Sequence, residues 1–382
     1  MNIQYRRALL GLTLVAGLQG CGGSSSTTLT TTTGTDTATT GTDTATTTTP
    51  ATSTGTTTVV SASDATEGPN PNLFVSGALV EAATTEDCVL SGGTQTTCYR
   101  ISVKGVPANH AVGPFCPPTI TSTATEGGIW LDGSGETYDV DGNFIVNLPT
   151  LYNDASWQLY DLATGKVKIT DTQVACEAAA QPNVAAEYQN YCVECSLDYV
   201  NGGISETVLI PKTPVPLATP ATLNGNVGIS LTGVTFALAA PVDAILSAHT
   251  IAAFDDCGGH VNPNVGYHYH AATGCTESAI QEDGHATLLG YAMDGYGIYA
   301  NKNPTGNDNT DLDQCRGHTD AIRGFHYHAA PAGDNAFIGC FHGEQGTSAS
   351  AAAAGAAPAG GVPPVGGVPP AGGVPPTGLP PQ

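Results

Sequence analysis

Two stretches of this 382-residue chain repeat one short pattern of metal-ligating side chains. The first runs through Cys257, Gly259, His260, Gly266, Tyr267, His268, Tyr269 and His270; the second through Cys315, Gly317, His318, Gly324, Phe325, His326, Tyr327 and His328. Each reads C-x-G-H-x5-G-[YF]-H-Y-H-A-A, and together they hold six of the ten histidines. Clustered imidazoles are the commonest protein device for holding a transition metal. On a strand, side chains alternate between faces, so the two histidines of each Y-H-Y-H segment share one face and the aromatic rings pack on the other. An H-x-H pair gives two ligands, and His260 or His318, eight residues upstream, is the candidate third. One binuclear site and two mononuclear sites are both compatible with this spacing.

Imidazole-rich sites suit copper or zinc first and then iron, and they are poor for calcium or magnesium. Asp294, an acid in an apolar, aromatic segment, is a further candidate ligand. Asp255, Asp256, Asp311 and Asp313 precede the two cysteines and fit either acceptors that orient imidazoles or ordinary turn caps. His249, His285 and His342 lack support from the repeat and read as surface or packing residues. The competing reading of the six repeat histidines is a structural network of neutral rings. Neither a G-x-S-x-G elbow nor an H-E-x-x-H motif occurs, which leaves serine-type and zinc-protease chemistry unsupported.

The positioning elements are those of an exported protein. Arg6 and Arg7 precede a short apolar run that ends before Cys21, which reads as a removed signal with a lipid-accepting cysteine. The expected organisation is residues 1–21 as lipoprotein-type signal and lipidation site, 22–68 as a Thr/Ser-rich disordered stalk, 69–346 as the folded domain, and 347–382 as an Ala/Gly/Pro-rich disordered tail. Location is then exported, with the cell-envelope membrane as partner through a lipid anchor. Without Arg6 and Arg7 the chain carries eight basic against 33 acidic residues, which excludes a nucleic-acid partner.

Ten cysteines remain in such a chain and imply disulfides. Cys257 with Cys275, and Cys315 with Cys340, each close the loop carrying their own histidines, and Cys88 with Cys98 brackets a Ser91-Gly92-Gly93 turn. Cys192-x-x-Cys195 is compatible with a redox pair or half of a zinc site, and outside any thioredoxin-like context it reads as ordinary structural bridging. Short segments rich in Val, Ile, Thr and Tyr (Tyr99–Val103, Phe144–Leu148, Trp157–Leu162, Val208–Ile210, Val227–Phe236) alternate with turn residues such as Asp141-Gly142-Asn143. Pro241–Phe254 is the best stretch for one or two helical turns. The expected fold is mainly β: a loop-rich, disulfide-stabilised, antiparallel, sandwich-like domain with few short helices.

With these residues in view, the chain resembles the YHYH domain family. The likeness rests on the two copies, on Asp294-Gly295-Tyr296-Gly297-Ile298-Tyr299, on Gly339-Cys340-Phe341, on Gly105-Val106-Pro107-Ala108-Asn109-His110-Ala111, and on Gly228-Ile229-Ser230-Leu231-Thr232-Gly233-Val234. It covers roughly residues 99–343. Asn109 and Thr232 depart from the family pattern, where an acid and an Asn are usual. The resemblance implies an exported domain defined by its motif rather than by a settled reaction, and it carries His110 into the same site. The expected function is metal binding at a lipid-anchored domain, with metal-assisted hydrolytic or oxidative chemistry at an open coordination position. The alternative is a disulfide-stabilised surface adhesion or glycan-binding module in which the histidines are structural and Tyr291, Tyr296 and Tyr299 stack on sugars; which small molecule or glycan is the partner stays open.

Overall fold

The two histidine repeats sit at opposite ends of one sheet. The computed structural model describes residues 58–61, 68–307 and 309–348. The signal segment, Cys21, most of the stalk and nearly all of the tail lie outside the described residues.

Eight strands form the path that matters for the site. They are β1 (Gly228–Ser230), β2 (Thr235–Phe236), β3 (Gly259–Asn262), β4 (Gly266–Tyr269), β5 (Leu288–Ala292), β6 (Gly297–Tyr299), β7 (Gly317–Asp320) and β8 (Gly324–His328). Their spatial order is β3-β4-β2-β1-β5-β6-β8-β7. The order is a palindrome of two four-strand halves, and the register confirms it residue by residue. Thr235 faces Ile229 across β2 and β1, as Gly297 faces Tyr291 across β6 and β5. Phe236 and Tyr269 are partners across the parallel pair β2–β4, as Ile298 and Tyr327 are across β6–β8. His260 faces His268, and His318 faces His326. Where the halves meet, Ile229 pairs with Tyr291, which is its own counterpart. A pseudo-two-fold axis therefore passes between those two residues.

The motif glycines have separate reasons to be glycine. Gly266 and Gly324 end their hairpin turns at φ +77° and +67°, where a Cβ is strained. Gly259 and Gly317 lie under the rings of Tyr267 and Phe325, and a Cβ on either would run into the ring. The aromatic residue opposite is thereby pressed flat against its hairpin.

A four-stranded sheet (Thr84–Val89, Gln95–Val103, Glu206–Pro211, Thr347–Ser348) supplies a second layer. Its Ile101, Val103, Val208 and Ile210 share one buried core with Tyr267, Tyr269 and Tyr327. The mainly β, layered architecture is as expected, although its main sheet is mixed rather than purely antiparallel because each hairpin joins the sheet through a parallel pair. Five disulfides pin the loops: Cys88–Cys98, Cys257–Cys275 and Cys315–Cys340 as expected, with Cys116–Cys192 and Cys176–Cys195 in addition. Cys192 and Cys195 thus serve two separate bridges. Cross-linking of this density belongs to an oxidising, extracellular environment. Among the described residues no helix is long and apolar enough to cross a membrane.

Three segments differ from the sequence reading, of which Trp157–Leu162 makes only an isolated bridge, Tyr160 with Val167. Phe144–Leu148 is helical, within Gly142–Leu151, and Asp141 is its N-cap, with Oδ1 accepting from Phe144 N at 2.7 Å. Phe144, Ile145 and Leu148 are buried on one helical face while Val146 is exposed, a 3.6-residue period in a segment too short to display it. Within the expected stalk, Thr58–Val60 pairs in parallel with Ala279–Gln281, and Val60 is buried. Two β-branched valines beside an open sheet edge suffice for this pairing.

Gly317→Ala is expected to cost about 1–3 kcal/mol through overpacking against Phe325. A urea unfolding series under oxidising conditions checks this, and an unchanged midpoint would show that the ring can withdraw.

Candidate metal centres

Each hairpin places its imidazoles by strand geometry alone. His260 on β3 lies opposite His268 on β4, and His270 follows on the same face. The three ring centroids are 4.7–5.0 Å apart, and His260 Nε2 is 3.1 Å from His268 Nε2. Ring nitrogens of all three residues lie within 4.8 Å of one another. Phe254 walls this group, 5.0 Å from the His260 ring and 5.2 Å from that of His270. Among the described residues, neither ring nitrogen of His270 has a well-formed hydrogen bond, although the ring is buried. The Leu238 carbonyl is a loose partner for one of these nitrogens, and the other is left to face an ion.

The second group has four members. His318 on β7 opposes His326 on β8, His328 follows, and His285 enters from the loop before β5. Nε2 to Nε2 distances are 2.9 Å for His318–His326, 3.2 Å for His328–His318 and 3.1 Å for His326–His285. Every Nδ1 in this group points at an oxygen that can only accept. His326 donates to Gly324 O (3.0 Å), His328 to Ala300 O (2.8 Å), His285 to Ala286 O (3.1 Å) and His318 to Asp311 Oδ1 (3.0 Å). Asn309 Nδ2, which can only donate, also lies 2.9 Å from His328 Nδ1 and competes with the Ala300 carbonyl for that nitrogen. A neutral imidazole has one N–H, so a proton on Nδ1 leaves the lone pair on Nε2. Four such lone pairs then face one another. Four nitrogens around a zinc-sized ion at 2.0–2.1 Å would stand about 3.3–3.4 Å apart, close to the spacing found.

Burial disfavours the charged form of the enclosed rings. Burial holds His268 and His326 down to about 4 and His328 to about 3, and keeps His260 and His270 well below the usual imidazole range. Neighbouring imidazoles push His260 and His270 further the same way, while the Leu238 carbonyl opposes the shift at His270. Burial also lowers His285, helped by the Arg323 charge.

The two groups are far apart. Five inter-strand steps separate β4 from β8, about 24 Å along the sheet at about 4.8 Å per step.

His110 and Asp294 are not placed with either group. Both lie on the aromatic side of the strands, because they contact the tyrosines that alternate with the histidines. His110 Nε2 is 3.2 Å from Tyr269 Oη, and its Nδ1 is 2.9 Å from Asn109 Oδ1. Among the described residues, the ligand-type atoms grouped with it are the sulfurs of Cys257 and Cys275, already joined in a disulfide. Asp294 accepts from Tyr327 Oη (2.6 Å) and Gly343 N (3.0 Å). Thr232 is the counterpart of Asp294 in the first half and reaches Tyr269 Oη at 3.2 Å. Tyr291, Tyr296 and Tyr299 are buried, not displayed for stacking on a glycan.

Of the four acids before the cysteines, Asp255 and Asp313 cap turns: each Oδ1 accepts from two amides, Cys257 N and Gly259 N, or Cys315 N and Gly317 N. Asp311 orients an imidazole, and for Asp256 only its carbonyl is engaged, by Thr273. Tyr267 donates to Asp255 Oδ2 (2.8 Å). Phe325 has no hydroxyl to give Asp313; instead His342 packs on the Phe325 ring at 4.4 Å and sets Nε2 2.6 Å from Asp313 Oδ2. His249 is a packing residue, paired with Asp154 and edge-on to Trp157. His285 is the member that sequence reasoning assigned to packing, since its loop has no copy in the first half and no periodicity to mark it.

Acid should unfold the metal-free chain. His110, His260, His268, His270, His285, His326 and His328 are all depressed in the fold. The unfolded chain therefore binds more protons below the ordinary value of 6.5, and stability falls as pH drops from there toward about 4. Asp255 and Asp294, raised by burial to about 6, act the opposite way, adding stability at low pH that is lost as pH rises through about 6. Asp139, Glu194, Glu206, Asp256 and Glu277 are raised as well, but Asp154, Asp161, Asp283, Asp311 and Asp320 are lowered and lose stability in acid together with the seven imidazoles, which leaves acid destabilisation in control. Thermal melts in chelator from pH 7 to pH 4 check this; a flat or rising midpoint on acidification would contradict it.

A model of the YHYH protein family matches residues 207–311, spanning β1 to β6 and the whole first repeat. No curated protein and no solved structure matches the chain. Residues 207–311 thus place a YHYH domain in this protein, at the sheet that carries both histidine groups.

Proposed function

We propose that this protein is an exported, envelope-tethered domain that binds two transition-metal ions at two separate mononuclear centres. The observation that carries the reading is the convergence of four Nε2 atoms, each on a ring whose Nδ1 has an acceptor oxygen within hydrogen-bond distance. Neutral rings so arranged repel one another until a cation stands between them. Nitrogen donors without free thiolate or abundant Met favour zinc or copper, then iron.

The two centres differ in what they can do. Four imidazoles fill a tetrahedral shell, so the group of His285, His318, His326 and His328 suits a closed, structural ion. The group of His260, His268 and His270 supplies three donors and leaves one position for an outside ligand. A metal there would supply Lewis acidity, or a bound water acidified toward neutrality, as in other three-histidine sites. The protein's contribution is the Gly266 carbonyl, which fixes the His268 tautomer, and Phe254, which excludes bulk water. Any hydrolytic or oxidative chemistry belongs to this centre. Tethering runs through a lipid on Cys21, and the acidic chain keeps nucleic acid away.

Elemental analysis of the full chain, exported and without a histidine tag, is expected to give two metal equivalents. His268→Ala with His270→Ala should remove one, and His326→Ala with His328→Ala the other. Full occupancy in either double variant, or none in the parent chain, would end the proposal.

A further inference from the structure

The second centre has a fourth ligand and the first does not, and one arginine accompanies that difference. Arg323 sits in the β7–β8 turn with only 3 % of its side chain exposed. Its Nη2 donates to both oxygens of Asp283 at 2.6 Å, and its Nη1 to Asp320 Oδ2 at 2.6 Å. Asp320 belongs to the same hairpin, where its Oδ1 also accepts from Ile322 N and Arg323 N. Asp283 belongs to the loop that carries His285, and its Oδ1 accepts from His285 N at 3.2 Å. The guanidinium therefore ties the loop bearing the fourth ligand to the hairpin bearing the other three.

We infer that Arg323 is a positioning residue which, through Asp283 and Asp320, holds His285 in the coordination shell of the second centre. The first half is the internal comparison. Its hairpin has Asn262 at the place of Asp320, and Asn262 Oδ1 still accepts from Asn264 N, so the turn forms without the clamp. Val265 stands at the place of Arg323 and is 39 % exposed. The clamp and the fourth histidine are present together in one half and absent together in the other.

Packing supports the same role. The Arg323 guanidinium lies 5.7 Å from the Tyr299 ring centroid, and the His285 ring stands edge-on to Tyr299 at 4.8 Å. Burying an arginine between two carboxylates gains little net stability over an apolar substitute, whereas its planar fork fixes direction. Lysine, a point charge, cannot hold both acids in this geometry.

The inference rests on the two-centre reading, and the test separates them. The full chain carrying His268→Ala and His270→Ala has only the second centre and is loaded with cobalt(II). The expected result is a visible spectrum of a four-coordinate ion that does not respond to azide. Adding His285→Ala sets the three-histidine benchmark, in which azide shifts the spectrum. Arg323→Val and, separately, Asp283→Asn should reproduce that azide response and weaken cobalt binding roughly ten- to a hundredfold, as loss of ligand-orienting partners does. Arg323→Lys should fail to restore the parent spectrum. If Arg323→Val does not fold, Asp283→Asn, which leaves the Asp320 pair in place, decides. Azide-insensitive spectra in the folded Arg323 and Asp283 variants would overturn the role of the clamp while leaving the centre intact. A background chain that takes up no cobalt overturns the centre and the inference together.

Discussion

An imidazole that gives its Nδ1 proton to a fixed oxygen has one place left for its lone pair, and most of this fold serves that restriction. Gly324 O, Ala300 O, Ala286 O and Asp311 each remove one proton from the common space of the second group. Gly266 O does the same for His268 in the first. The glycine that ends each hairpin turn thus has two functions. It permits the turn, and its carbonyl sets the tautomer of the histidine two residues on.

Around that restriction the sheet supplies registration. Pairing His260 with His268, and His318 with His326, costs nothing beyond the antiparallel ladder. The parallel strands β2 and β6 then hold each hairpin against the centre of the sheet. On the opposite face the tyrosines are anchored by their hydroxyls: Tyr267 on Asp255, Tyr327 on Asp294, Tyr269 on Thr232 and His110. A ring fixed at its tip cannot rotate its strand, so the neighbouring imidazoles keep their direction. The disulfides Cys257–Cys275 and Cys315–Cys340 close both loops behind this arrangement.

Strand alternation was legible in Tyr267-His268-Tyr269-His270 because every second position differs in kind. The three disulfides named from spacing were legible because each closes its own loop or hairpin. The wider duplication was not. Gly228 and Gly290 are 62 residues apart, while Cys257 and Cys315 are 58 apart, since Phe236 precedes Gly259 by 23 positions and its counterpart Ile298 precedes Gly317 by only 19. That shift hides Thr232 as the counterpart of Asp294. The helix after Asp141 was hidden because its segment is too short to display a period. His285 was hidden because nothing in a lone Asp-Gly-His says which surface its loop will meet. Tethered loops declare their ligands only when the partner, here Arg323 from a hairpin 38 positions later, is already in place.

The pairing of Ile229 with Tyr291 at the pseudo-axis is the geometry of an isologous dimer written into one polypeptide. In a true dimer every substitution arrives twice, so a change that suits one protomer must also suit the other. Covalent linkage removes that obligation. Phe325 could lose its hydroxyl and recruit His342, and Val265 could stay exposed while Arg323 became buried, each on one side alone. Symmetry fixed the scaffold, and its breaking gave one chain two unlike pockets.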